Sequence, residues 1–203
     1  MARQLALDLP QWGGRRPGAG RKPRHVVPGL VRPGVPHVRR PELKPRHPVH
    51  VTMRVLKGIP SLRRSDVRRA LESAFRAGRD RFGFRLAHYS IQGNHLHLLV
   101  EAEDEAALTR GMQGLAIRVA RAINRTLRRR GKVFADRYHA HALATRREVA
   151  NALQYVLDNA TRHGDYTPRD PFTSQRWLWR PPDEAAPVLP PRTWLLRVGW
   201  RGS

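Results

Sequence analysis

Two strand-like runs on either side of Gly93-Asn94 place the strongest constraint on how this chain can fold. The runs are FRLAHYSIQ at residues 84–92 and HLHLLVEA at residues 95–102. Short runs rich in aliphatic and aromatic residues and bounded by glycine are typical of β-strands, and so short a connection joins antiparallel neighbours. The sequence therefore predicts a β-hairpin within an antiparallel sheet.

The second run begins with two histidines, His95 and His97, on either side of Leu96. Because side chains on a strand alternate between faces, we expect the two imidazoles side by side, with Leu96 directed into a core. Two parallel imidazoles form half of a divalent-metal site. Such pairs also occur without a metal, solvated or bonded to backbone carbonyls, so a third ligand is needed to choose between the two readings.

The other periodic segments complete a β-α-β-β-α-β order, with one further helix. They are a strand at 49–56, a helix at 62–80, the hairpin, a helix at 104–130 closed by Gly131, a strand at 136–143 and a helix at 146–161. This order predicts an α+β fold with a ferredoxin-like, or RRM-like, antiparallel sheet and two helices on one face. The last helix is free to pack elsewhere.

The two ends of the chain differ from this core in composition. Residues 1–46 are rich in Pro, Gly and Arg and predict a disordered basic arm before a domain at 47–164. Within the arm, Arg21 and Lys22 lie in a segment that resembles the AT-hook arms of the DNA minor groove, although a generic basic linker fits equally. Residues 165–203 form a tail rich in Trp, Arg and Pro, whose tryptophans either stack on bases or dock onto the core.

The charge of the chain favours nucleic acid as its partner. The 203 residues include 39 Lys+Arg and 16 Asp+Glu, a formal net charge of +23. The face of the second helix opposite its apolar stripe carries Arg118, Arg121 and Arg125. These arginines either contact a DNA backbone or form a solvated helix surface. The absence of cysteine excludes disulfides and thiolate metal sites, and no apolar run is long enough to span a membrane. We expect a cytoplasmic protein that associates with nucleic acid.

A polar face on the helix at 146–161 supplies candidate partners for the histidines. Asn151, Tyr155, Asn159 and Arg162 are spaced by four, four and three residues and therefore share this face. Without the histidine pair, Tyr155 would be interpreted as an ordinary interfacial residue.

Together with the histidine pair, this helix makes a phosphoryl-transfer reaction possible. A metal bound by His95, His97 and the Asn159 carboxamide would keep open positions for a phosphate oxygen. The hydroxyl of Tyr155, on the same helix as the third ligand, would then attack the phosphorus and form a phosphotyrosine bond.

Three segments of the chain resemble the motifs of one known family. They are NHLHLLVE at 94–101, GKVFADRYHAHAL at 131–143 and QYVLDNATRHG at 154–164. Together they are similar to the REP-associated tyrosine transposases, a branch of the single-tyrosine HUH, or IS200-like, transposases. The resemblance covers about residues 46–164.

The resemblance implies a specific role for each matching residue. His95 and His97 would be the metal-binding pair, Tyr155 the nucleophile and Asn159 the residue that completes the metal site. It also implies cleavage of single-stranded DNA beside a REP-like hairpin with Mg²⁺ or Mn²⁺, which leaves a 5′-phosphotyrosine and a free 3′-hydroxyl. Both a monomer and a dimer are compatible with the resemblance.

Some alternatives stay open at the level of sequence. A second pair, His139 and His141, competes for the metal, but only the first pair lies in the Asn-His-x-His-Leu-Leu-Val context. Arg137 is expected to face the reacting phosphate. The alternative function is a non-catalytic protein of RRM-like fold that binds structured single strands by stacking bases on sheet aromatics. A transposase descendant that only binds hairpins is a third reading.

Overall fold

The computed structural model describes residues 42–158, 170–178 and 184–202. The predicted basic arm therefore lies almost entirely outside the described residues, together with Arg21 and Lys22. Asn159 and Arg162 also lie outside them. None of the described helices is long and apolar enough to cross a membrane.

Five strands and four helices make up the described part of the chain. The strands are β1 (Val49–Arg54), β2 (Asp80–Arg81), β3 (Phe84–Ile91), β4 (His95–Ala102) and β5 (His139–Ala142). The helices are α1 (Ser65–Gly78), α2 (Glu105–Thr126), α3 (Arg146–Leu157) and α4 (Trp194–Arg197), with 3₁₀ turns at Ser174–Trp177 and Gly199–Gly202.

All strands join one antiparallel sheet in the order β2-β3-β4-β1-β5. The predicted hairpin forms between β3 and β4, where the Gln92 amide donates to the His95 carbonyl at 2.9 Å. Strand β1 lies between β4 and β5, so that Val51 is opposite both Leu98 and Ala140. The predicted α+β, ferredoxin-like class is confirmed. The two-residue strand β2 extends the sheet edge beyond the four strands that the sequence predicts.

Helices α1 and α2 cover one face of the sheet and enclose the main core. Val67, Leu71 and Phe75 of α1 are completely buried, as their spacing of four predicts. On α2, Met112 and Val119 are likewise inaccessible to solvent. Burial of these aliphatic and aromatic side chains is the main force that holds the two helices against the sheet.

Helix α2 ends at Thr126, four residues earlier than the sequence predicts. Side-chain hydrogen bonds replace the helical pattern at this point: Asn124 Nδ2 donates to the Gly131 carbonyl at 2.9 Å, and Arg129 Nη1 donates to Asn124 Oδ1 at 2.6 Å. Arg128 adopts a left-handed backbone with φ of 49°, which is incompatible with a continuing right-handed helix. Asparagine competes for backbone groups in this way because its amide is short and polar.

Helix α3 and the C-terminal residues pack on the opposite face of the sheet. A second apolar cluster forms there between Leu99 of β4, Val149 and Leu153 of α3, and Leu196 of α4. This face is otherwise polar and carries six histidines, at positions 50, 88, 95, 97, 139 and 141. The histidines and the tyrosine helix therefore meet on the face that α1 and α2 leave uncovered.

The contact between Gly111 of α2 and Phe84 of β3 provides a test of the core packing. A Cβ atom at Gly111 would lie 2.1 Å from Cγ of the buried Phe84. We therefore expect Gly111→Ala to lower the free energy of unfolding by about 1–3 kcal/mol, measured by urea denaturation.

Gly114→Ala on the same helix is the matched control. A Cβ there meets only Nη1 of Arg118 at 3.0 Å, the end of a flexible side chain. This variant should gain up to about 1 kcal/mol from helix propensity. Equal effects at the two positions would contradict the close packing of α2 on β3.

Candidate active site

His95 and His97 lie side by side on the polar face of β4, as the strand alternation predicts. Their ring centroids are 4.6 Å apart and the rings are nearly perpendicular, at 88°. His97 is 5% exposed, whereas His95 lies nearer the solvent and contacts Asn94 Oδ1 through Nδ1 at 2.7 Å. The imidazole of His97 is therefore buried inside the protein, and that of His95 lies nearer the surface.

Strand β1 supplies neighbours for these histidines that the sequence reasoning missed. Thr52 is directly opposite His97 in the register, and Arg54 is directly opposite His95. His97 Nδ1 lies 3.1 Å from His50 Nε2 and 3.2 Å from Thr52 Oγ1. The alternation in VHVTMR places His50, Thr52 and Arg54 on one face, but only the pairing of β1 with β4 shows that this face is the histidine face.

The environment keeps both inner imidazoles neutral. Burial lowers the pKa of His97 to about 3, with a smaller contribution from His95 and His50. Burial likewise lowers the pKa of His50 to about 4, assisted by His141 and His139. At neutral pH each ring therefore carries one N–H donor and one lone pair, the form in which histidine binds metals.

The start of helix α3 is fixed by a capping box. Thr145 Oγ1 accepts from the Glu148 amide at 3.2 Å, and the Glu148 carboxylate accepts from the Thr145 amide at 2.9 Å. Val149, Leu153 and Val156 then form the apolar stripe that packs on the sheet. The cap and the stripe together determine how α3 is rotated against β4.

This rotation directs Tyr155 toward the histidines. Its Oη lies 3.4 Å from His97 Nε2, and the two rings are 4.9 Å apart in an edge-to-face arrangement. The ring of His50 is 6.0 Å from the same tyrosine. Tyr155 is half-buried, so part of this residue remains accessible to solvent.

Glu101, at the far end of β4, anchors the C-terminal residues over α3. Its carboxylate accepts hydrogen bonds from the Arg192 amide at 2.8 Å, the Thr193 amide at 2.7 Å and the Thr193 hydroxyl at 2.7 Å. Thr193 in turn caps α4, and Leu196 and Trp200 pack against the cluster that contains α3. Helix α3 is thus held between the sheet and the C-terminal residues.

Three of the arginines predicted to bind DNA lie away from Tyr155. Arg118, Arg121 and Arg125 lie on α2, which covers the other face of the sheet. Arg118 donates to the Gly114 carbonyl at 2.9 Å, whereas Arg121 and Arg125 are exposed. Arg137 is exposed immediately before β5.

The second histidine pair lies at the edge of the same sheet face. His139 is opposite Thr52, and His141 is opposite His50. His141 Nε2 lies 3.3 Å from the Glu148 carboxylate. In the described residues, Tyr155 therefore contacts a histidine of the first pair, whereas His141 of the second pair contacts the first turn of α3.

The described residues fit one half of a divalent-metal site. His95 and His97 are adjacent, and the partners on His97 Nδ1 fix the ring so that Nε2 faces Tyr155. Hydrogen bonds of this kind orient metal-ligating imidazoles in proteins. Among the described residues no group of three or more His, Asp or Glu is placed to hold a metal. The predicted third ligand, Asn159, is an amide outside those residues.

The antiparallel ferredoxin-like sheet thus carries a pair of imidazoles, one of which contacts a helical tyrosine. The profile of the IS200-like transposases matches residues 43–159, more than half of the chain. The chain therefore belongs to the IS200-like transposase family. No match is found among curated proteins.

The solved structures to which this chain is similar include two transposases. One is a REP-associated tyrosine transposase bound to a REP hairpin, with 14% sequence identity, a TM-score of 0.57 and coverage of 70% of this chain and 84% of that chain. The other is a candidate transposase from Deinococcus radiodurans R1, with 17% identity, a TM-score of 0.41 and coverage of 64% and 97%. The first supports the fold described above.

Loss of the Glu101 carboxylate should release the C-terminal residues from the sheet. A buried carboxylate with three donors loses favourable contacts when it becomes an amide, so Glu101→Gln should lower the free energy of unfolding by about 1–3 kcal/mol. Limited tryptic digestion should also cut faster after Arg192, Arg197 and Arg201.

Glu103→Gln, at an exposed position just beyond the end of β4, is the control and should leave both measurements unchanged. Wild-type protease resistance in Glu101→Gln would show that the apolar contacts of Leu196 and Trp200 suffice to hold the C-terminal residues.

Proposed function

We propose that the chain is a transposase-type endonuclease and strand transferase that acts on single-stranded DNA through Tyr155. The observation that carries the proposal is the position of the Tyr155 hydroxyl, 3.4 Å from His97 Nε2, in a member of the IS200-like transposase family. A helical tyrosine beside a histidine pair places a nucleophile next to the groups that can stabilise a reacting phosphate.

The proposed reaction is a transesterification that conserves the number of phosphodiester bonds. Tyr155 Oη forms a bond to phosphorus and loses its phenolic proton, while the bond between phosphorus and the 3′-oxygen breaks. The products are a 5′-phosphotyrosine and a strand with a free 3′-hydroxyl, which takes up a proton. Attack by a 3′-hydroxyl on the phosphotyrosine reverses these steps and rejoins DNA.

His95, His97 and Asn159 are the proposed ligands of Mg²⁺ or Mn²⁺, which would supply Lewis-acid polarisation of the phosphate. His50 and Thr52 hold the His97 ring in one orientation through Nδ1. Arg54, exposed and opposite His95 on the same face, is placed to bind a nonbridging phosphate oxygen. His97 itself is neutral at physiological pH because burial lowers its pKa.

Structured single-stranded DNA is the proposed partner, in particular a hairpin of the REP type. The net charge of +23 suits a polyanion, and the similar transposase was solved with a REP hairpin bound. Tyr155 meets the histidines of its own chain, so one chain contains both halves of the proposed site. Arg118, Arg121 and Arg125 would then contact DNA away from the cleavage site.

The structure favours this reaction over the alternative of an RRM-like base-stacking protein. That alternative requires aromatic side chains on an open sheet face. In the described sheet, Phe84 and Tyr89 are fully buried, and Tyr89 donates its hydroxyl to Glu72 at 2.8 Å. Helix α3 partly covers the face that α1 and α2 leave free. The histidines of this face lie beside Tyr155.

The role of His50 in orienting His97 predicts a loss of metal affinity on mutation. His50→Ala removes one of the two partners of His97 Nδ1 and should weaken Mn²⁺ binding by about 10- to 100-fold, measured by calorimetry on the full chain.

His139→Ala is the control for this effect, since His139 lies on the same sheet face, is exposed and is opposite Thr52 in the register. If both variants bind Mn²⁺ as the wild type does, His50 does not support a metal ligand.

Covalent trapping tests the nucleophile directly. The protein is incubated with Mn²⁺ or Mg²⁺ and labelled single-stranded hairpins from the flanks of its own gene, and adducts that survive denaturation are counted. We expect a metal-dependent adduct that Tyr155→Phe abolishes and that His95→Ala strongly reduces, while hairpin binding persists in both variants.

The control is Tyr138→Phe, which removes the hydroxyl of another tyrosine near the sheet edge and leaves Tyr155 unchanged. This variant should still form the adduct. Tight hairpin binding without any adduct, across both metals and all flanking sequences, would support the binding-only alternative instead.

A further inference from the structure

A cleft of about 520 Å³ opens beside Tyr155, between strand β5 and helix α3. Its polar walls are His50, His141, Glu148, Asn151, Gln154 and Tyr155, and its remaining walls are the apolar side chains of one leucine and one alanine. A DNA strand whose phosphate reaches Tyr155 must place a neighbouring nucleotide close to this cleft.

The charge of the cleft is unlike that of the rest of the chain. The protein has 39 Lys+Arg, yet no lysine or arginine lines this cleft in the described residues. Its one formal charge is the Glu148 carboxylate, which accepts from the Ala144 and Thr145 amides at 2.9 Å and contacts His141 at 3.3 Å. A fixed carboxylate repels phosphate, so the cleft suits the uncharged base of a nucleotide rather than its backbone.

Side-chain carboxamides on α3 add groups that can form hydrogen bonds with the edge of a base. Asn151 and Gln154 are exposed on α3, four residues and one residue before Tyr155. Carboxamides pair with the amino group and ring nitrogen of adenine, and a carboxylate accepts from the amino group of cytosine. On the major-groove edge, where these amino groups lie, thymine and guanine present the carbonyl oxygens O4 and O6, which the Glu148 carboxylate would repel.

We propose that this cleft binds the base next to the phosphodiester that Tyr155 attacks and selects adenine or cytosine. Asn151, Gln154 and Glu148 are the specificity-determining residues, and the rings of Tyr155 and His50 provide flat surfaces beside the base. The inference rests on the proposed function, because it assigns the cleft to the strand that the tyrosine cleaves.

The test uses a pool of single-stranded DNA hairpins flanked by eight random nucleotides on each side. The full-length protein reacts with the pool and Mn²⁺, and adducts are isolated under denaturing conditions. Sequencing of the tyrosine-linked strand and of the released strand identifies the nucleotides on both sides of each cleaved bond. We expect adenine or cytosine to be enriched about tenfold at one of these two positions, the scale of one good base contact.

Three variants and one control then assign the preference to the cleft. Asn151→Ala and Gln154→Ala should reduce the base preference, so that the four bases occur about equally beside the cleaved bond. Glu148→Gln keeps an oxygen for the helix cap but loses the charge, so it should admit thymine and guanine. Arg147→Ala, exposed on the same helix but outside the cleft, should keep the wild-type preference.

The outcomes separate this inference from the proposed function. No adduct from any member of the pool would contradict the proposed function itself. Adducts with no base preference, or with a preference that all three cleft variants retain, would leave the tyrosine chemistry standing and overturn the assignment of the cleft.

Discussion

The antiparallel pairing of β1 with β4 is the interaction on which the rest of the structure depends. Its register places Val51 opposite Leu98 on the core face and Thr52 opposite His97 on the other face. A shift of one residue would exchange the two faces along the whole strand, so that the buried core and the histidine site are fixed by the same hydrogen bonds. The apolar core therefore enforces the geometry of the polar site.

The histidines of the polar face meet a tyrosine only because a second layer covers part of this face. Helix α3 would expose its apolar stripe if it did not pack on Leu99, and the C-terminal residues bury the remaining side of that helix. The Glu101 carboxylate, on the strand that also carries the histidines, ties these residues down through three hydrogen bonds. One strand thus positions both the imidazoles and the layer that holds the tyrosine against them.

Local patterns in the sequence were sufficient for the architecture and for part of the site. Strand alternation placed His95 and His97 together, and the helical spacing of the apolar residues gave α1, α2 and α3 with errors of only a few residues at their ends. The end of α2 was missed because the bonds of Asn124 to Arg129 and Gly131 override the apolar repeat. His50, Thr52 and Arg54 were missed because their importance depends on which strand lies next to β1. The metal-binding roles of His95, His97 and Asn159, the nucleophilic role of Tyr155 and the DNA contacts of the arginines remain predictions.

By itself, the sequence determined the order of the elements, the strand and helix periodicity, the basic charge and the chemical groups available for catalysis, because these follow from local side-chain patterns. Only the tertiary structure decided which of these groups meet. It placed His97 between Tyr155 and His50, left the arginines of α2 on the far face and gathered Glu148, Asn151 and Gln154 around a cleft that no described arginine or lysine lines. Such contacts depend on strand register and helix rotation, which long-range packing fixes and local spacing does not.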